Sequence, residues 1–380
     1  MPPTGQQLIM FEFFPGNYRW SYNTWAALAA GAEFGDLGLI LDRLSASGGR
    51  DEAWYEAWTW LADLLERRGE GNLSAGTKRS ASENYFLASL YHKIAEQFVS
   101  PADPLRLQSY GRALDTFEKA RSMSDAGIER VLVPYEGQIL PAYFIPAREW
   151  EGPKPTAMFI CGLDTTKEIT YLRIRDKLAA RGINCLAIDT PGVGEALRIG
   201  KIYTRYDYEV PVGAAIDYLQ SRDDVDRDRI GIIGSSLGGY YVARAAAFEP
   251  RLRAVVAWGA NYDYHAVWYR RITVGGAVAA PVFQLMYITG TDTMEAAMKR
   301  IEKFQVGPIG QRITCPFLVA HGKDDQQISI EDAKKMFDAL GSKDKELKIF
   351  AGEDGGAAHC QFDNHLPALL YVSDWLAKKL

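Results

Sequence analysis

A serine hydroxyl is a poor nucleophile at neutral pH unless a base takes its proton. One stretch of this chain could lift a serine into reach of such a base: Gly231-Ile-Ile-Gly234-Ser235-Ser236-Leu237-Gly238-Gly239-Tyr240-Tyr241. Arg229 to Ile233 reads as a short buried strand and Tyr241 to Phe248 is Ala-rich and helix-prone, with Gly-x-Ser-x-Gly between them. A sharp strand-to-helix turn needs glycines, because an ordinary side chain would obstruct the backbone. It would expose the Ser236 hydroxyl, and the helix start would aim the free N–H of Leu237 at a developing oxyanion. A Gly/Ser loop without chemistry fits the five-residue pattern taken alone; the strand-turn-helix context favours a nucleophile.

The base must be within hydrogen-bond reach and be oriented by a carboxylate. In an open α/β sheet both come from loops at the carboxyl ends of later strands. Phe317-Leu-Val-Ala-His321-Gly322-Lys-Asp324-Asp325 ends a strand in a Gly-led turn that carries acids, and Gly352 to Gln361 holds His359 in a glycine-rich loop. The order Ser236, Asp, His359 is that of an α/β-hydrolase. Asp325 is preferred to Asp324 because Ile328 and Ser329 put it in the register of a His-Gly-x-x-Asp-x-x-Val-Pro turn. Of the other histidines, His92 reads as structural, His265 could touch the pocket, His321 would brace its turn and His365 starts the last helix.

A second oxyanion donor is expected from the loop after the first parallel strand, Cys161 to Glu168, with the Leu163 N–H the best placed. Asp164 and Glu168 are acids beside it. Each reads equally well as a substrate-binding or auxiliary acid, or as a helix cap and first-turn residue. Upstream, Phe11 to Trp25 is rich in aromatic side chains. These either pack a helical module onto its neighbour or, at Tyr18, Trp20 and Tyr22, line a pocket for a flat substrate.

The elements that must position these groups divide the chain in two. Residues 1–128 show helical spacing at Phe34 to Leu44, Trp54 to Leu65, Ser80 to Phe98 and Pro104 to Ala120, with Asp51 and Ser100 or Asp103 as candidate caps. Gly-rich, charged Arg67 to Lys78 suits an exposed turn. This is an all-helical cap or lid module. From Ile128 the period changes to a hairpin turning at Glu136-Gly137, and then strands and helices alternate: strands at 156–160, 184–189, 229–233 and 254–258, helices at 168–181, 208–221 and 239–248. A mostly helical insertion, 262–310, precedes strands at 317–320 and 347–350 and a last helix from Pro367 to Lys379. The βα rhythm over 129–380 predicts an α/β fold: a mostly parallel sheet flanked by helices.

At 380 residues and 47% hydrophobic, the chain can bury a core larger than one typical domain. A net charge of −5 without clustered Lys and Arg argues against nucleic acid as a partner. Cys161, Cys185, Cys315 and Cys360 lack paired spacing and read as free thiols rather than disulfides or a metal site; no cofactor is expected. Met1 to Phe14 has no basic leader and no apolar run is long enough for a membrane span, which points to a cytoplasmic protein without a membrane partner. A homodimer is left open.

Several motifs together resemble a known group. They are Gly162-Leu163-Asp164-x-Thr166-Lys167-Glu168, Pro191-Gly192-x-Gly194-Glu195, Gly234-x-Ser236-Leu237-Gly238-Gly239, Glu249-Pro250-Arg251-Leu252, Cys315-Pro316-x-x-x-x-His321-Gly322-x-x-Asp325 and His359-Cys360. This is similar to the α/β-hydrolases of the 2,6-dihydropseudooxynicotine hydrolase type, C–C bond hydrolases of bacterial nicotine breakdown, and to fungal hydrolases that shorten pigment polyketides. The resemblance implies Ser236 as nucleophile, Asp325 as orienting acid and His359 as base, with Asp164 where the nicotine enzyme has a glutamate. It implies a small aromatic or polyketide-like substrate cut at a C–C bond next to a carbonyl. An ordinary carboxylesterase or lactonase would use the same groups, and a binding protein on the same scaffold would lack some of them.

Overall fold

The computed structural model describes residues 11–45, 47–148, 151–275, 279–354 and 356–380. The expectation for the first residues of the chain therefore lies, up to Met10, outside the described residues. Eight strands form one sheet: β1 (Glu129–Tyr135), β2 (Gln138–Ile145), β3 (Lys154–Ile160), β4 (Asn184–Ile188), β5 (Val225–Ser235), β6 (Leu252–Trp258), β7 (Phe317–Gly322) and β8 (Lys345–Phe350). Their order is β1-β2-β4-β3-β5-β6-β7-β8. β2 runs antiparallel to both its neighbours and every other pair is parallel. Glu136 and Gly137, at φ 45° and 76°, close the β1–β2 hairpin with two left-handed residues, as a tight hairpin turn demands.

Central strands are apolar on both sides because helices cover both faces. On β6, Ala254, Val256 and Trp258 face one core while Val255 and Ala257 face the other. The second core takes helices α8 (Glu209–Gln220), α9 (Leu237–Ala246), α10 (Tyr264–Thr273) and α13 (Ile330–Ala339). The first core takes α6 (Lys167–Ile174) and α14 (His365–Lys379), and it continues into the N-terminal helices α1 (Tyr18–Ala29), α2 (Phe34–Ser45), α3 (Asp51–Ser74), α4 (Lys78–Ala95) and α5 (Pro104–Met123). Trp20, Trp54 and Trp58 pack in series within it, their rings tilted against one another. The helical region thus shares a core with one face of the sheet.

Three local expectations need correction. The exposed turn read over Arg67 to Lys78 is helix as far as Ser74. Gly69 serves close helix packing there: a Cβ on it would lie 2.9 Å from the Tyr85 ring of α4. The helix read over 168–181 stops at Ile174, because Arg175 adopts φ 37° and turns its guanidinium to Glu83 on α4, 3.0 Å away. Asp51 is the first residue of α3 and not its cap; its carboxylate accepts from Arg19 and from the Trp20 indole N–H.

A buried ionic knot pins the helical region to the rest. Glu96, just after α4, is fully buried and pairs with Arg198 of α7 (Gly194–Arg198), with Lys93 at 2.9 Å and with Arg106 of α5 at 3.5 Å. Burial alone would raise the Glu96 carboxyl, but Arg198, Lys93 and Arg106 outweigh it and hold it well below the usual range. Removing this one anion strands three buried cations. Glu96→Gln is expected to cost about 3–5 kcal/mol in urea unfolding; a loss below about 1 kcal/mol would show that the knot does not hold the helices in place.

Candidate active site

Ser236 sits between β5 and α9 at φ 58°, ψ −120°, a conformation that costs a non-glycine residue about 1–3 kcal/mol. The surrounding backbone is tightly packed. A Cβ on Gly234 would lie 2.1 Å from the Gly238 carbonyl oxygen, and one on Gly162 would lie 2.8 Å from that of Ser235 and 3.2 Å from the Leu237 nitrogen. The loop after β3 therefore presses directly against the turn. The Leu163 and Leu237 N–H groups donate to no acceptor among the described residues.

The hydroxyl of Ser236 lies 2.8 Å from Nε2 of His359, and Nδ1 of His359 lies 2.6 Å from Oδ2 of Asp325. Nδ1–H donates to the carboxylate, which leaves Nε2 free to accept the serine proton. The other Asp325 oxygen accepts the N–H groups of Gln327 at 2.8 Å and Ile328 at 3.0 Å. The His359 loop is equally tied. Asp363 accepts from the N–H groups of Ala357 and Ala358, and Gln361 accepts the Trp258 indole N–H at 2.6 Å. Cys360 holds φ 53° and points its thiol at the Trp258 carbonyl. Asp324, the alternative acid, is exposed and bonds no histidine.

Burial by itself would pull the His359 imidazole down, but the Asp325 carboxylate outweighs it and raises the group above its ordinary value. Asp325 is correspondingly held down by His359, against a burial that would raise it. His321, buried and pulled down by burial, bonds the Ile328 carbonyl at 3.1 Å and lies 3.5 Å from Asp325, bracing the acid's turn.

Ser236, Leu163 and His359 open into a cavity at the carboxyl ends of β3, β5 and β6, and its far wall is Tyr22, Asn23 and Ala26 of α1 with Lys93, Ile94 and Gln97 beside them. Asp164 lines it and accepts from Gln97. Tyr22 lines it, its ring 6.1 Å from that of His359. Other candidates fall elsewhere. Trp20 faces the opposite side of α1, against Phe14 and Trp54. Tyr18 is absent from the wall and stacks behind Tyr22, 5.8 Å away. Glu168 is buried away from the cavity beside Lys167, whose ammonium also binds Asp189 and Glu195 at 3.1 Å and 2.7 Å. That cluster joins the Thr-Lys-Glu and Pro-Gly-x-Gly-Glu motifs. His265 does not reach the wall, although its neighbours Asn261 and Tyr264 do. Arg173 and Arg271 also line the cavity and went unread, because an arginine on an amphipathic helix looks like part of a solvated face.

Among known proteins, the family model described as Esterase FrsA-like matches residues 41–380. The chain belongs to the FrsA-like esterase family. It is 28% identical over 350 residues, 89% of each chain, to 2,6-dihydropseudooxynicotine hydrolase of Paenarthrobacter nicotinovorans. It is 27% identical over 367 residues, 86% of this chain and 87% of the other, to the 20-hydroxy-prefusarin hydrolase FUS2 of Gibberella moniliformis. A crystal structure of 2,6-dihydroxy-pseudo-oxynicotine hydrolase matches with a TM-score of 0.81 at 25% identity, covering 94% of this chain and 95% of that one. The protein is a hydrolase of the α/β class.

The buried Asp325–His359 pair carries a pH prediction. Since the carboxylate raises the imidazole, the neutral base form is lost at a higher pH than for a free imidazole. The acidic limb of kcat/KM should therefore lie above about pH 6.5. Asp325→Asn removes the charge and leaves burial to act, so the limb should move to lower pH while kcat falls by about 10⁴. A limb that stays in place in Asp325→Asn would mean another group is the base.

Proposed function

We propose that this protein is a serine hydrolase that cleaves a C–C bond next to a carbonyl in a β-diketone-like or acylated aromatic, polyketide-type substrate. The observation that carries the reading is the hydrogen-bonded series Asp325–His359–Ser236 opening beside two unused N–H groups into a cavity walled by α1 and α4. Relatives of nearly the same length are named as hydrolases of a pseudooxynicotine and of a prefusarin, which supports the substrate class.

In this reading the Ser236 oxygen adds to the ketone carbon as His359 takes its proton, and the Leu163 and Leu237 amides hold the oxyanion. Collapse re-forms the carbonyl and breaks the C–C bond. The bonding pair leaves on carbon, so that carbon must belong to a ring or enol able to carry negative charge. The His359 imidazolium protonates it. A water then gives its proton to His359 and adds to the acyl group, Ser236 takes the proton back, and the acid is released. In this reading the N-terminal helical region acts as the lid: Tyr22, Asn23 and Gln97 line the same cavity as the serine, and closing it would keep bulk water from the carbanion-like leaving group.

The family description favours a second reading, a carboxylesterase or lactonase in which the leaving atom is oxygen. A matched panel of aryl esters, acylphenols and β-diketones separates the two. Turnover of β-diketones or acylphenols, abolished in Ser236→Ala, is expected; turnover of esters alone would leave only the esterase.

A further inference from the structure

The cavity wall is unbalanced in charge. Lys93, Arg173 and Arg271 line it, against a single carboxylate, Asp164. Lys93 is answered by Glu96 at 2.9 Å. Arg271 gives one N–H to the Gln327 carbonyl at 3.3 Å. Among the described residues, Arg173, half-buried on the last turn of α6, has no carboxylate within 4.0 Å and donates to no acceptor, and its Nε is wholly buried. A guanidinium presents five N–H donors, and burying one without a counter-charge is costly.

The surroundings say which way those donors face. Arg173 sits over the Phe362 ring, its Cζ 4.1 Å from the ring centre, a cation–π contact. A ring can answer the charge of a guanidinium but accepts none of its in-plane N–H bonds, so these donors still lack an acceptor. The same cavity holds Asn261, fully buried with neither amide atom bonded, and Tyr264, 3% exposed with an unbonded hydroxyl. A cavity that is merely greasy would not gather an unpaired guanidinium, an unpaired amide and an unpaired phenol around one space. Tyr22 and Phe362 supply the apolar part of the wall.

We infer that Arg173 anchors a carboxylate on the ligand of this cavity, so that the substrate is an anionic molecule whose acid group pairs with the guanidinium. The inference takes the cavity of the proposed reaction as the ligand site, but it does not depend on which bond is cut. Bidentate pairing of planar carboxylate with planar guanidinium is the strongest match this donor set can make.

Calorimetric titration with benzoate, phenylacetate and 3-phenylpropionate, each beside its neutral amide, tests this without any turnover. The best carboxylate is expected to bind wild-type protein at least about tenfold tighter than its amide, about 1.4 kcal/mol. In Arg173→Met, checked for folding by its melting curve, the gap should close to within about twofold; Arg173→Lys, a point charge without the planar fork, should fall between. Carboxylates and amides binding wild-type protein alike, or not at all, overturn the inference even if no Arg173 variant folds. So does a preference that survives in Arg173→Met and disappears in Arg271→Met. Esterase or C–C hydrolase activity with no carboxylate preference would remove the anchor while leaving the serine chemistry intact; a preference in a protein without hydrolytic activity would do the reverse.

Discussion

The hydrogen bond between Asp325 and His359 is made almost entirely out of water: the carboxylate side chain is fully buried and the imidazole 2% exposed. A buried carboxylate is tolerable only if each lone pair finds a donor, and the architecture around it is arranged to supply them. The chain reverses after β7 so that the Gln327 and Ile328 amides meet one oxygen, His321 braces that reversal from beneath, and the loop after β8 is clamped by Asp363 and Gln361 to deliver the imidazole to the other oxygen. Once the imidazole is fixed, the serine has to come to it. That requirement explains the strained turn at Ser236 and the glycines that let three backbone segments converge.

The same accounting of buried charge organises the space above the serine. Glu96 neutralises cations from three elements and so fixes α4 and α5 over the carboxyl end of the sheet. The helical region is therefore held by ionic bonds that water cannot easily compete for, as well as by its packed tryptophans. Tyr22 and Ala26, one turn apart on α1, then form the roof with Lys93 of α4 and Gln97 of the turn that follows it. What the knot does not neutralise is Arg173.

Much of this was legible in the amino-acid sequence. Strands buried on both faces show as short apolar runs, the Gly-x-Ser-x-Gly turn has its own spacing, and the order serine, acid, histidine follows from strands laid side by side. What escaped was every feature that depends on which way a helix is rolled. Trp20 and Tyr22 are two residues apart, so on α1 they face opposite sides, one into the tryptophan core and one into the cavity. Asp164 and Glu168 look alike in the chain, but α6 starts at Lys167, so the first lies outside the helix facing Gln97 and the second inside it facing a lysine. Gly69 resembles a turn residue until Tyr85 is seen against it. Arg173 carries no local mark at all; only its missing partners set it apart.

The central claim is that Ser236 is the activated nucleophile of a buried Asp–His–Ser series. A fluorophosphonate reagent reports this directly, since it phosphonylates a serine only where a base takes the proton and N–H groups hold the developing oxyanion. The account predicts one equivalent of label, found on Ser236 by peptide mapping, and a labelling rate at pH 7.5 reduced at least about 10³-fold in His359→Ala. Label on another serine, or an undiminished rate in His359→Ala, would contradict it.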